Sequence, residues 1–120
     1  MERLSKFVGI RGGVSKRAFE SLLAFRREVE EAFNPNVKDV VLFGSRARGD
    51  AKSGSDYDVA IMFSGSDAGT AMDRKLSNLA YPYIFKGLHI TPVSVPEDFI
   101  HLGDEHPLAF SVAREGIVIS

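Results

Sequence analysis

The feature that most restricts how this chain can fold is a pair of apolar runs with a polar, glycine-rich segment between them. Val40-Val41-Leu42-Phe43 is β-branched and aromatic and ends at Gly44, while Asp56-Tyr57-Asp58-Val59-Ala60-Ile61-Met62-Phe63 opens polar and turns apolar. Runs of this length and composition read as strands. The first is apolar at odd and even positions alike, which suits a sheet covered on both faces. Gly44 to Ser55 is dense in Gly, Ser and charge, so a turn or a very short helix is expected there.

Helices flank this pair. From Ser15 onward Ala18, Leu22, Phe25, Val29 and Phe33 recur at helical spacing as one apolar stripe, and the charged residues from Arg26 to Glu31 lie largely off it. Asn34-Pro35-Asn36 ends that helix, because proline pushes the residue before it out of the α region. Thr70 to about Ala80 predicts a second helix, with Met72, Leu76 and Leu79 inward. Leu88 to Val95 predicts a third strand, which Pro92 confines to the neighbourhood of an edge. Pro96 to Phe99 reads as a helix start, and Pro107 to Glu115 as a last helix with Leu108 and Val112 inward, ahead of Gly116. Ile117-Val118-Ile119 offers a terminal strand. The charged face of the first helix and the segment Tyr81-Pro82-Tyr83, expected to be exposed, offer a partner surface. The order predicts an α/β (α+β) chain, a small mixed sheet flanked by helices. No repeat, low-complexity tract or linker divides the 120 residues. A single domain over 1–120 is expected, with 1–13 as an N-terminal arm.

Charge and composition narrow the function classes. Lys plus Arg total 15 against 16 Asp plus Glu. That balance argues against direct nucleic-acid binding, whose footprint is basic, but leaves room for a small anion held by a few local charges. Without cysteine there is neither a disulfide framework nor a thiolate metal site. No apolar run approaches the ~20 residues that span a bilayer, and Met1 to Phe7 lacks the apolar stretch of a signal peptide. A soluble cytoplasmic protein without membrane contact is expected, with homo-oligomerisation left open.

The chemistry concentrates in Leu42-Phe43-Gly44-Ser45-Arg46-Ala47-Arg48-Gly49-Asp50 and Gly54-Ser55-Asp56-Tyr57-Asp58. Gly44 directly follows a strand, so its backbone can approach a ligand with no side chain in the way. If Ser45 opens a short helix, its amide and hydroxyl point to the same place and favour a phosphate. Arg46 and Arg48 add positive charge beside that anion site. Asp56 and Asp58 stand two apart on a strand and project from one face. Two adjacent carboxylates repel unless a cation lies between them, and Mg²⁺ takes one or two carboxylates plus phosphate oxygens. Read without a ligand, the same residues are a polar turn and a pair of turn or capping aspartates. His89, His101 and His106 show no metal-ligand spacing.

Gly44-Ser45, ten intervening residues, then Asp56-x-Asp58, with Arg46, Arg48 and Gly49 in the loop, resembles the signature of the minimal nucleotidyltransferases of the DNA polymerase β-like superfamily. The similarity runs from about Val40 to Phe63. The resemblance implies that superfamily's fold, a nucleotide-binding set of Gly44, Ser45, Arg46 and Arg48, and catalytic, metal-holding carboxylates at Asp56 and Asp58. It implies Mg²⁺ as cofactor, ATP or another NTP as substrate, and transfer of AMP to a hydroxyl. Small relatives of this kind act as antitoxins paired with a HEPN-type protein, which names the expected partner and acceptor. One departure stands out. Active members present a third carboxylate from a later strand, expected near Thr91, and Leu88 to Val95 contains no acid. Glu97 and Asp98 lie beyond that strand, and His89 is the alternative base. That departure motivates a second reading, a nucleotide-binding antitoxin or regulatory subunit acting by binding alone. A third, transfer to a small molecule of the aminoglycoside kind, ranks lower because no helical acceptor domain follows.

Overall fold

A computed structural model describes residues 5–6 and 14–120. Of the expected N-terminal arm, only Ser5–Lys6 fall within it, as strand β1; the rest of 1–13 lies outside the described residues. Helix α1 spans Lys16–Phe33 and is capped by Ser15, whose hydroxyl accepts the Ala18 N–H at 3.0 Å. It buries Ala18, Leu22, Phe25 and Val29, and Phe33 packs at the margin, edge-on to Phe63. Asn34 is extended (φ −61°, ψ 148°) ahead of Pro35, as a residue before proline is.

Strand β2 (Val37–Phe43) begins three residues before the apolar run, because Val37 and Asp39 extend the pairing with Phe63 and Met62 across a register shift at Lys38. The single turn α2 (Ser45–Arg48) follows, then β3 (Tyr57–Phe63), α3 (Thr70–Ala80), β4 (Ile90–Pro96), α4 (Pro107–Glu115) and β5 (Ile117–Val118). Two 3₁₀ segments, Tyr81–Lys86 and Phe99–Glu105, stand where the sequence suggested an exposed segment and a helix start. Tyr83 corrects the first expectation. It is buried, meets Phe25 edge-on at 5.9 Å between ring centres, and burial together with the Glu28 carboxylate pushes its phenol up to about 12.

The sheet runs β1-β5-β2-β3-β4. β2 pairs antiparallel with β3 and β5, while β3–β4 and β1–β5 are parallel, so the sheet is mixed. Pro92 sits in β4, an edge strand, where its missing N–H costs no ladder bond inside the sheet. Each face carries its own core. Val40, Leu42, Val59, Ile61 and Phe63 pack with α1 and α3; Val41, Ala60, Met62 and Val95 pack with Phe99 and with Ala109 and Val112 of α4. This two-sided burial is what the apolar residues at both parities of β2 require. No described helix is long and apolar enough to cross a membrane.

Candidate functional site

The parity of β3 decides where its acids point. Tyr57, Val59, Ile61 and Phe63 face α1 and α3, so Asp58, with Ala60 and Met62, belongs to the face that α4 covers. Asp58 pairs with Phe43 on one side and Thr91 on the other. Asp56 lies one residue ahead of the strand with the same parity. β2 delivers Gly44 to this end of the sheet, and α2 begins at once.

Gly44 has φ +82°, a region L side chains rarely adopt, and a Cβ placed there would collide with the Asp58 carboxylate. Both the conformation and the close approach require glycine. Gly44 and Asp58, fourteen positions apart in the sequence, are therefore in direct contact range. Gly49, at φ +91°, closes the one-turn helix, with its N–H donating to the Ser45 carbonyl at 3.0 Å.

The two arginines of the loop have different surroundings. Arg46 donates through Nε and Nη2 to the Ser55 carbonyl at 3.2 and 3.0 Å, and its guanidinium lies 4.3 Å from the centre of the Tyr57 ring. It ties the loop down in front of the acids. Arg48 bonds Asp50 through Nε at 3.2 Å and Glu115 through Nη1 at 3.1 Å. The Asp50 carboxylate, and then Glu115, push its guanidinium further above the usual value.

Asp56 is exposed and is engaged on both oxygens. His89 Nδ1 lies 2.9 Å from Oδ1, and the Thr91 hydroxyl donates to Oδ2 at 3.3 Å. Asp58 is half-buried. Burial first, and then the charge of Asp56, push its carboxyl above the ordinary range; Arg48 opposes this and Glu115 adds to it. Two carboxylates whose charges work against each other are a donor set that a hard divalent cation neutralises, so the residues present fit Mg²⁺. Among the described residues, no three His, Cys, Asp or Glu side chains gather to hold a metal ion. Thr91 stands beside Asp58 in register, at the place where a third carboxylate was sought, and Glu97 and Asp98 lie beyond the far end of β4.

Glu115 is the residue the sequence reading missed. The last residue of α4, it accepts the Gly44 N–H on Oε2 at 2.8 Å as well as bonding Arg48. A signal was available. An acid in the final turn of a helix opposes the macrodipole, and such a local conflict marks a residue held there by something else.

A family model described as nucleotidyltransferase domain matches residues 22–99. A solved nucleotidyltransferase candidate from Sulfolobus solfataricus is 22% identical, with 85% of this chain and 78% of that one covered, at a TM-score of 0.51. A structure described as a toxin-antitoxin with AMP-PNP is 16% identical, with coverage of 82% and 72% and a TM-score of 0.56. A mutant of the MntA-HpeT toxin-antitoxin, carrying two Asp-to-Glu changes two positions apart, is 14% identical with the same coverage and TM-score. At these identities the likeness is one of fold, and it agrees with a mixed α/β sheet of the polymerase β-like kind. No curated protein matches the chain.

Proposed function

Given that the chain belongs to the nucleotidyltransferase domain family, we propose that it binds Mg-ATP at the junction of β2 and β3 and transfers AMP to a hydroxyl of a protein partner, as the antitoxin of a HEPN-type toxin. The observation that carries this reading is the contact range between Gly44 and the Asp58 carboxylate, which sets a backbone N–H suited to donate to a phosphate beside the second acid of the pair. The likeness to toxin-antitoxin folds, one of them holding AMP-PNP, supports ATP as substrate and a toxin as partner.

In this reading Gly44, Ser45 and Arg48 receive the phosphates, and Arg46 holds the loop through Ser55 and Tyr57. Asp56 and Asp58 hold the cation, which supplies charge neutralisation along the triphosphate and on the departing pyrophosphate. The acceptor oxygen forms a bond to the α-phosphorus as the α–β phosphoanhydride bond breaks. Pyrophosphate leaves and the hydroxyl proton passes to water. The chain acts in the cytoplasm as a single domain.

Thr91, beside Asp58 in place of an acid, favours a second reading, in which Mg-ATP is bound and the toxin is neutralised by binding alone. Incubation of α-³²P-ATP and Mg²⁺ with the protein and the product of the adjacent gene separates the two. Label on the partner, lost in Asp56→Asn/Asp58→Asn, is the expected result. A stable complex that stays unlabelled contradicts transfer and leaves the binding reading.

A further inference from the structure

The reading above assigns the Gly44 N–H to a nucleotide phosphate, yet that N–H already has an occupant. Glu115 Oε2 accepts it at 2.8 Å, and Arg48 Nη1 donates to both Glu115 oxygens at 3.1 and 3.3 Å. The carboxylate makes the demands a phosphate oxygen would make, an anion received by a backbone N–H and a guanidinium. It is sequestered as well, with a side chain 16% exposed against 47% for Asp56.

Its backbone is fixed from both sides. Gly116 donates its N–H to the Val112 carbonyl at 2.9 Å, and Ile117 pairs with Leu42, so the end of α4 is anchored beside β2. From that anchorage the side chain reaches Gly44 against the dipole of its own helix. Its negative charge also reaches Asp58. A triphosphate arriving at Gly44 therefore meets a carboxylate, Glu115, already seated there beside Asp58.

We propose that Glu115 is a resident anion in the phosphate seat, an autoinhibitory contact that ATP must displace. Glu115 covers the Gly44 N–H and holds Arg48. Displacement frees both donors for the triphosphate and removes one negative charge from beside Asp58. This inference rests on the proposed nucleotide site.

The test is calorimetric titration of wild-type protein, Glu115→Ala and Glu115→Gln with Mg-ATP and with Mg-tripolyphosphate, after circular dichroism has verified folding. Removal of a charge-assisted competitor is expected to tighten both ligands by about tenfold in Glu115→Ala, and by less in Glu115→Gln, whose amide oxygen still accepts from Gly44. If Glu115→Ala does not fold, tighter binding in Glu115→Gln alone carries the inference. Unchanged or weaker binding in the folded variants, with wild-type binding intact, overturns the autoinhibitory role and leaves the nucleotide site standing. Absence of binding in all three proteins overturns both, because the seat itself would then receive no phosphate.

Discussion

β3 carries two chemistries on one strand. From Val59 to Phe63 every residue is buried, and the strand is covered by α1 and α3 on one face and α4 on the other. At Asp56 and Asp58 the same strand opens into an end where carboxylates crowd a single glycine. The first half gains stability from apolar burial. The second carries a raised carboxyl, a glycine at positive φ and an acid at a helix C-terminus, none of which favours folding. That contrast is expected where a candidate functional site is built on a stable frame, since local conflicts persist only where the surrounding structure enforces them.

The comparison breaks most visibly in the frame. Phe25 is fully buried beneath the sheet against Tyr83. Phe25→Ala is expected to cost about 3–5 kcal/mol in urea unfolding, while ATP affinity of the molecules still folded stays unchanged. Gly44→Ala comes next, joining both halves in one change. Positive φ and the collision with Asp58 should destabilise by about 1–3 kcal/mol and abolish ATP binding together. A variant that unfolded more easily yet bound ATP normally would separate Gly44 from the site.

Asp58→Asn has the smallest effect on stability and the opposite sign. With its folded value raised, Asp58 binds more protons folded than unfolded from about pH 4 up to that raised value. Wild-type stability contributed by this group is then present at the acid end of the window and falls as pH rises through it. Asp58→Asn removes that component, so a slightly higher Tm at pH 7 and a flatter profile between pH 4 and 7 are expected in metal-free buffer. A lower Tm for the variant at pH 7 would mean that the carboxylate stabilises the fold.

These two regions also differ in how far the sequence disclosed them. The frame was legible because its signals are local. The stripe from Ala18 to Val29, the apolar β2 and the Pro92 edge strand each follow from spacing within a few residues. Phe33 was counted with the core and lies at its margin. Tyr83 was misplaced because a Tyr-Pro-Tyr segment looks polar and turn-like, and only the distant ring of Phe25 explains its burial. β1 was not foreseen, since two residues pair with β5 across most of the chain length. Within the candidate site, Gly44 and Asp58, which the sequence grouped by spacing, lie in contact range. Glu115 was not foreseen, because its partners, Gly44 and Arg48, are 71 and 67 residues away in sequence.

The most direct test of the central claim, that Gly44 and the Asp56–Asp58 pair form one cation-dependent nucleotide site, is isothermal titration of ATP into wild type and Asp56→Asn/Asp58→Asn, with and without Mg²⁺. The account predicts binding by wild type that requires Mg²⁺, and a double variant that stays folded and has lost it. Equal Mg²⁺-dependent affinity in the folded double variant would contradict the claim.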